Sequence, residues 1–295
     1  MSVNPLVALQ QAHPRLTAAE TRVADVIIDR PQLVVESTIT ELARACHTSP
    51  ATVARFCQSL GYGGYRDFRI EVAAAMSRDQ ADREHSQVTT GDIDPEDSAQ
   101  DVVAKIQFLE TQAISQTLRS LDLTVVDAAV AAIIAADRLE IIGFGSSSLS
   151  AQDLNTKLSR IGRIAHQHSD VHLGLAQVAL LGPGSVAFGI SHSGLTVETI
   201  HLLQIAREGG ATTIGLTNDP ESPLAEHCDF LLTTQARESH FRSGATSSRI
   251  AQLAVIDVLF VRVAQLLFDS MNDSLRRTYD AVQWHRVRGD RPRGN

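Results

Sequence analysis

An apolar run, a serine-rich turn and a helix start follow one another in the stretch Ser185-Val186-Ala187-Phe188-Gly189-Ile190-Ser191-His192-Ser193-Gly194-Leu195-Thr196. The same order recurs in Leu139-Glu140-Ile141-Ile142-Gly143-Phe144-Gly145-Ser146-Ser147-Ser148. In each stretch a buried strand ends at small residues, and hydroxyls, backbone N–H groups and a helix N-terminus then meet, which suits an anion. Gly and Ser are also common in ordinary strand-to-helix turns, so two purely structural turns are the alternative.

The spacing within these turns limits the kind of anion. Neither turn has the GxxxxGK[ST] spacing of a nucleotide-binding loop or the GxGxxG of a dinucleotide fingerprint. We therefore expect a small anion, such as a single phosphate on a metabolite, and no cofactor. Cys46, Cys57 and Cys228 are far apart and form no CxxC pair, which argues against both a disulfide framework and a metal site.

Alternating strands and helices surround the two turns and indicate the class of fold. The alternation predicts a three-layer α/β domain with a five-stranded parallel sheet. With strand order 2-1-3-4-5, the first and third strands flank the point where such sheets bind ligands, and these two strands end in the serine-rich turns. Strands are expected near Arg138–Gly143, Ile164–Gln167, Ser185–Gly189, Thr212–Leu216 and Asp229–Thr233, and helices near Val102–Leu118, Val125–Ala136, Leu149–Ile161, Val171–Leu180, Val197–Glu208 and Ala245–Phe268.

The N-terminal part of the chain predicts an all-α head. Thr17-x-x-Glu20 and Thr38-x-x-Glu41 match the capping box that starts a helix. Ser49-Pro50 supplies a third start, with a good N-cap before a proline. The expected helices span Ala18–Asp29, Ile39 to about Cys46, and Pro50–Leu60. The short gap between the second and third is the spacing of a DNA-binding helix-turn-helix motif.

The third helix of this head has two distinct faces. Val53, Phe56, Cys57 and Leu60 recur at helical spacing and predict a buried stripe. The opposite face combines small residues, which allow close approach to a groove, with side chains that pair with base edges or phosphates. A plain helical bundle with a polar outer face is the alternative. The candidate DNA contacts are Ser49, Ala51, Thr52, Arg55, Gln58, Ser59 and Arg66.

Composition and charge fit a globular protein with two unlike parts. With 43% hydrophobic and 20% charged residues, no apolar run reaches the ~20 residues of a membrane span and no secretory signal is evident, so we expect a cytoplasmic protein without a membrane partner. The net charge is −8, yet residues 1–78 carry eight arginines against seven acidic residues, which suits a DNA reader on an acidic body. The polar segment after Met76 reads as a linker. The expected division is a head over 1–80, a linker over 81–100, an α/β domain over 101–275 and a C-terminal tail over 276–295.

Two sets of motifs resemble known families. The stretches Ser49-Pro50-Ala51-Thr52-Val53-Ala54-Arg55-Phe56-Cys57 and Leu60-Gly61-Tyr62-Gly63-Gly64-Tyr65-Arg66-Asp67-Phe68 resemble the head of RpiR-family bacterial transcription regulators. Gly143–Ser148, Lys157–Gly162, Ile190–Thr196 and Ser243–Leu253 resemble the sugar isomerase (SIS) domain that binds phosphosugars. The first resemblance implies that the helix after Ser49 is the recognition helix, and that Gly61–Tyr65 braces a following helix against it.

The SIS resemblance also implies a ligand site. The resemblance implies that a phosphate is held by Ser147, Ser191, Ser193 and Thr196, with Ser146, Ser148 and His192 beside it. Two further candidates, Glu238 and Ser243, would support the ligand indirectly, through the residues that touch it. The implied protein is a non-enzymatic regulator of sugar or aminosugar metabolism genes that senses a phosphosugar. Its partners are an operator duplex and a sugar-phosphate effector. It works as a homodimer or homotetramer, because one recognition helix reads only a few base pairs.

An enzyme is the rival interpretation, since SIS domains also occur in sugar-phosphate isomerases. Such chemistry needs a positioned acid or base, and His192, Glu198, Glu238 and His240 are the candidates. The attached reading head makes catalysis unnecessary, so we predict no catalytic residue.

Overall fold

The computed structural model describes residues 4–86, 93–238 and 245–283. Its first part is helical and its second part alternates strands with helices, as the sequence predicts. The helices are α1 Pro5–Ala12, α2 Ala18–Asp29, α3 Gln32–Glu36, α4 Ile39–Ala45, α5 Pro50–Ser59, α6 Tyr65–Ser86, α7 Ala99–Ser120, α8 Leu123–Ala135, α9 Ser147–Arg160, α10 Val171–Val178, α11 Val197–Glu208, α12 Thr246–Leu266 and α13 Phe268–Gln283. The strands are β1 Arg138–Gly143, β2 Ala165–His168, β3 Ser185–Ile190, β4 Thr212–Thr217 and β5 Phe230–Thr233.

Local capping chemistry sets the helix starts in the head. Both predicted capping boxes are formed: the Thr38 N–H donates to Glu41 Oε2 over 2.8 Å, and the Thr17 N–H donates to Glu20 Oε2 over 3.0 Å. The turn between α4 and α5 passes through His47, whose φ of 50° lets the chain reverse. Helix α2 therefore has the predicted bounds, and α5 ends one residue early at Ser59.

The head also contains a helix that the sequence analysis did not predict. Helix α1 starts at Pro5, where Asn4 Oδ1 accepts from the Leu6 N–H over 3.0 Å. Leu6 and Leu9 join the buried core of the head. Helix α1 has no capping box, and a helix of this length depends on packing for its stability, which explains why the periodic pattern did not reveal it.

The second part forms a five-stranded parallel sheet in the order β2-β1-β3-β4-β5, as predicted. Helices α8, α9 and α12 bury one face of the sheet, and α10 and α11 bury the other. Strands β1 and β3 are direct neighbours, and Gly143 at the end of β1 pairs with Ile190 at the end of β3. The two serine-rich turns therefore leave the sheet side by side.

The C-terminal region differs from the expected layout in detail. The predicted helix Ala245–Phe268 ends at Leu266, and α13 continues through the start of the segment expected to be a tail. Met271 and Leu275 pack against the sheet layer, and Thr278 Oγ1 lies 3.4 Å from the Arg160 carbonyl, so α13 is bound to the domain. The rest of the expected tail, residues 284–295, lies outside the described residues. Residues 87–92 of the expected linker also lie outside the described residues. Helix α6 extends into the start of that linker and ends at Ser86. The domain boundaries remain a prediction.

Across the part of the chain that the structure describes, no single helix has the length and apolar character needed to cross a membrane. One sharply bent pair, Thr246–Leu266 with Met271–Ala281, meets those two criteria jointly.

Candidate functional site

A cavity of about 440 Å³ lies over the carboxyl ends of β1 and β3. Most of the serines and the histidine that the sequence singled out meet in its wall, together with Glu238. Ser148 does not line it; this side chain stays in the first turn of α9, where its hydroxyl donates to the Gly145 carbonyl over 2.6 Å. Ser243 and His240 lie outside the described residues. The lining residues are Phe144, Ser146, Ser147, Ser191, His192, Ser193, Thr196, Glu238, Ala245, Ser248 and Gln252.

On the β1 side, a buried amide from α12 orients the serine hydroxyl. Gln252 Nε2 donates to Ser147 Oγ over 3.1 Å, and Gln252 Oε1 accepts from Ser150 Oγ over 3.0 Å. Because Ser147 accepts from the amide, its own hydroxyl hydrogen remains free to be donated into the cavity. The sequence analysis missed Gln252 and Ser248. The signal that could have found them is two polar residues four apart on the buried face of an otherwise apolar helix.

On the β3 side, the turn leaves the start of α11 open. Thr196 occupies the N-cap position without capping the helix, and its Oγ1 lies 3.0 Å from Ser191 Oγ. The first N–H groups of α11 thus keep their capacity to bind an anion. Gly194 has a φ of +64°, and a Cβ there would come within 2.0 Å of Ser222 Oγ, so the turn requires glycine.

Glu238 has a structural partner as well as a place in the cavity wall. Helix α12 begins after Ala245, a residue in the left-handed region that offers no capping oxygen. Glu238 Oε1 accepts from the Ser248 N–H over 2.7 Å and so replaces the cap. One oxygen of this carboxylate is therefore committed to the helix start.

The described lining residues include one carboxylate and no Lys or Arg. An anion bound among them would be held by hydroxyls, N–H groups and the helix N-termini, a set of partners that suits reversible binding. Within the described ranges, no group of three His, Cys, Asp or Glu residues is placed to hold a metal ion.

The face of α5 predicted to contact DNA has most of the exposure expected of it. Of the predicted buried stripe, Val53, Phe56 and Cys57 are buried, and Leu60 is only partly buried because it lies at the C-cap of α5. Among the candidate DNA contacts Thr52 is partly buried, and the exposed ones are Ser49, Ala51, Arg55, Gln58, Ser59 and Arg66. Ser49 is the N-cap, and its Oγ accepts from the Thr52 N–H over 3.2 Å. Ser59 Oγ donates to the Phe56 carbonyl over 2.9 Å, so this hydroxyl already has a partner.

The segment after α5 packs a following helix against α5, as the resemblance implied. The Phe68 ring on α6 meets the rings of Phe56 at 6.1 Å and Tyr62 at 5.1 Å, both edge-on. Burial raises the pKa of the Cys57 thiol to about 12, so Cys57 remains a neutral packing group in this contact.

Comparison with known proteins agrees with this two-part architecture. Residues 3–79 match the sequence model of the helix-turn-helix domain of the rpiR family, and residues 132–262 match that of the SIS domain. An HTH-type transcriptional regulator of Caldanaerobacter subterraneus subsp. tengcongensis is 35% identical over 282 residues, which cover 96% of this chain and 98% of that regulator. The chain belongs to the RpiR family. It is an HTH-type transcriptional regulator with a C-terminal SIS phosphosugar-binding domain.

Other relatives place the RpiR-family architecture in context. The HTH-type regulator YbbH of Bacillus subtilis is 32% identical, over 98% of this chain and all of that protein. The structure of NanR from Vibrio vulnificus in complex with ManNAc-6P matches with a TM-score of 0.62 and 28% identity, over 96% of this chain and 100% of NanR. A bifunctional protein glk of Burkholderia orbicola is 34% identical over 87% of this chain, but the match covers 39% of that longer protein.

Proposed function

We propose that this RpiR-family regulator controls genes of sugar or aminosugar metabolism by binding operator DNA with its head and a phosphosugar with its SIS domain. The observation that carries the proposal is the cavity over β1 and β3, where both serine-rich turns meet in a chain that also presents a reading helix. Because its operator is part of the bacterial chromosome, we propose that the regulator acts in the cytoplasm.

The charges of the cavity suggest how a phosphosugar lies in it. Ser147, Ser191, Ser193 and Thr196 hold the phosphate, with Ser146 and His192 beside it; Ser148 lies outside the lining, with its hydroxyl bonded to the Gly145 carbonyl. The Glu238 carboxylate repels a phosphate and accepts hydrogen bonds from hydroxyl or amide groups. The sugar therefore points toward Glu238 and Ser248; the remaining candidate, Ser243, lies outside the described residues.

The first compound to test is the amino-sugar phosphate ManNAc-6P, because the NanR structure holds it. By calorimetry, Ser147→Ala and Ser191→Ala should each weaken its binding by about 1.5–3 kcal/mol, the usual contribution of a hydrogen bond to a charged group. Ser148→Ala is the matched control, since its hydroxyl faces Gly145 rather than the cavity. Wild-type affinity in the Ser147/Ser191 double variant would exclude the phosphate site.

The DNA-binding half of the proposal is tested on the reading face made of Ser49, Ala51, Thr52, Arg55, Gln58, Ser59 and Arg66. Arg55→Ala should weaken binding to a selected duplex by about 1–3 kcal/mol if Arg55 pairs with a base in bidentate fashion. Arg22→Ala removes the same charge from α2, where the guanidinium donates to the Ala18 carbonyl. Equal losses of DNA affinity in Arg55→Ala and Arg22→Ala would show that α5 does not read the operator. Unchanged DNA affinity in a Thr52/Arg55 double variant would show the same.

We propose no catalytic role for the SIS domain. Glu238 has one oxygen bound to the Ser248 N–H, and the relatives that cover the whole chain carry regulator names. Incubation with hexose and N-acetylhexosamine 6-phosphates should leave them unchanged; turnover that disappears in Glu238→Gln would support the isomerase instead.

A further inference from the structure

The head touches the SIS domain beside the serine cavity. The Arg15 guanidinium spans the Asp219 carboxylate, with Nη1–Oδ2 at 2.6 Å and Nη2–Oδ1 at 3.3 Å. The Asp219 side chain is 9% exposed and that of Arg15 is 35% exposed, so the pair is largely shielded from water. Three neighbouring contacts accompany it: Arg15 Nη2 also donates to Glu221 Oε2 over 3.3 Å, the Gln11 amide donates to the Asn218 carbonyl, and Arg237 Nη2 donates to Asn4 Oδ1 over 2.8 Å.

On the SIS side, Asp219 belongs to residues 218–224, the post-β4 segment, which together with the end of β4 is bonded to the serine turn of β3. The Asn218 N–H donates to the His192 carbonyl over 2.9 Å, and Thr217 Oγ1 donates to the same carbonyl over 3.2 Å. The Leu224 N–H donates to the Gly194 carbonyl over 3.2 Å, and the Ser222 side chain packs directly on Gly194. A movement of the turn therefore has to move the post-β4 segment or break these bonds.

On the head side, Arg15 and Gln11 belong to an element that is part of the head core. Arg15 ends the short 3₁₀ turn that follows α1, and Gln11 lies on α1 itself. Leu6 and Leu9 of α1 pack in the same core as Phe56 of the reading helix. Because packed cores move as units rather than deform continuously, a shift at Arg15 is carried to the reading face.

We infer that the post-β4 segment carries the signal from the serine cavity to the reading head, and that the Arg15–Asp219 pair is its contact between the domains. The inference rests on the proposed function, because it assigns a regulatory route to that same site. A phosphate that draws in the His192–Gly194 turn displaces the segment bonded to it. The bidentate pair tolerates little displacement, since both hydrogen bonds need the two planar groups aligned.

The experiment compares Asp219→Asn with Glu226→Gln in the full chain. Both remove one negative charge from the region after β4, but Glu226 is exposed and lies in the 3₁₀ turn whose Glu226 carbonyl accepts from Arg207 on α11. ManNAc-6P and inorganic phosphate are titrated by calorimetry. Affinity for a duplex selected by the wild-type protein is measured by fluorescence anisotropy, with and without saturating ManNAc-6P or phosphate, and the ratio of the two affinities is the coupling.

We expect the wild type and Glu226→Gln to show a coupling of at least about fivefold. Asp219→Asn should bind ManNAc-6P as the wild type does while its coupling falls toward one. Arg15→Gln tests the same contact from the head and also serves if Asp219→Asn fails to fold. Combining the two substitutions should cause no further loss, as expected for residues that act through one contact.

The outcomes separate this inference from the function on which it rests. A wild-type protein that binds neither compound nor a duplex contradicts the proposed function and removes the inference with it. If the wild-type protein binds ManNAc-6P and the duplex but shows a coupling of one, both proposed binding sites stand and the inference is overturned. Full coupling in Arg15→Gln, or in a folded Asp219→Asn, overturns it as well.

Discussion

At the scale of single residues, a buried amide orients a neutral hydroxyl of the cavity. Gln252 is 2% exposed, and it accepts from Ser150 while donating to Ser147. This fixed amide turns the Ser147 hydroxyl into an oriented donor, which matters in a cavity whose described lining residues include no Lys or Arg. Preorganised dipoles of this kind bind an anion without the cost of reorienting when it arrives.

Replacing Gln252 with Met should damage both the fold and the site. The buried Ser150 hydroxyl loses its acceptor, so the free energy of unfolding should fall by about 1–3 kcal/mol. Ser147 loses its orienting donor, so ManNAc-6P binding should weaken. Gln152→Met, on the exposed face of α9, is the matched control and should change neither quantity. Urea denaturation and calorimetry measure the two effects, and unchanged ManNAc-6P affinity in Gln252→Met would contradict the role of the amide.

At the scale of elements, two glycines at positive φ allow the cost of backbone strain to be compared with the cost of a packing clash. Gly145 and Gly194 have φ values of +56° and +64° in the turns after β1 and β3. A Cβ on Gly145 would meet nothing within 4 Å, whereas one on Gly194 would lie 2.0 Å from Ser222 Oγ and 2.3 Å from Ser222 Cβ. The turn of β3 is thus packed against the post-β4 segment in a way that the turn of β1 is not.

The two alanine variants should therefore differ in stability. Gly145→Ala should lower the free energy of unfolding by about 1–2 kcal/mol, the cost of the left-handed conformation for a side chain. Gly194→Ala should cost clearly more, because the clash with Ser222 adds to the same strain. Urea denaturation of the two variants compares them directly. Equal losses of unfolding free energy would mean that the post-β4 segment shifts easily to relieve the clash. That result would contradict its proposed role in carrying a movement of the turn to the head.

The capping boxes of the head make its stability depend on pH. The N–H and hydroxyl of Thr38 hydrogen-bond the ionised carboxylate and lower the pKa of Glu41 below its ordinary value. A pKa lowered by folding means that the stabilisation is present above the unfolded pKa, about 4.3, and is lost as the pH falls through the folded value. Glu41→Gln should therefore flatten this part of the acid profile.

The measurement is hydrogen exchange of the α4 amides between about pH 3 and pH 7. Protection in the wild type should decline toward the acid end more steeply than in Glu41→Gln. Glu36→Gln, an exposed position on α3, is the control and should keep the wild-type slope. Parallel profiles for all three proteins would show that the Glu41 cap contributes no pH dependence.

At the scale of the whole molecule, exposed apolar side chains occur on α7, on α12 and at the start of α13. Val103 on α7 is 67% exposed, Val261 on α12 is 62% exposed and Phe268 at the start of α13 is 60% exposed. Helices α7 and α12 pack against each other. We propose that a second copy of the chain covers these side chains through a two-fold contact. Two reading heads would then face the two halves of a symmetric operator.

Val261→Glu should weaken this assembly, because a charge would be buried between the copies. By light scattering the variant should shift toward the monomer, and its affinity for a selected duplex should fall while ManNAc-6P still binds. Leu180→Glu places the same charge at a residue that is 75% exposed after α10, on the other side of the sheet, and should leave the assembly intact. A wild-type protein that is strictly monomeric would contradict the paired arrangement.

The sequence by itself determined the class of fold, the positions of the strands and most helix starts. These features follow from information held within a few residues: apolar runs of strand length, capping pairs such as Thr38 and Glu41, and prolines after a cap. The two serine turns were predictable as one site for a related reason. In a parallel sheet of this order the ends of β1 and β3 lie together, so two local motifs become neighbours without further information.

The tertiary structure alone decided which distant residues complete the site and where the domains touch. Gln252 meets Ser147 across 105 residues of chain, and Arg15 meets Asp219 across 204. Helix α1 is stable because Leu6 and Leu9 fill a core built by later helices. Such contacts depend on how elements pack in space, and packing is set by the summed shapes of many side chains rather than by any local pattern.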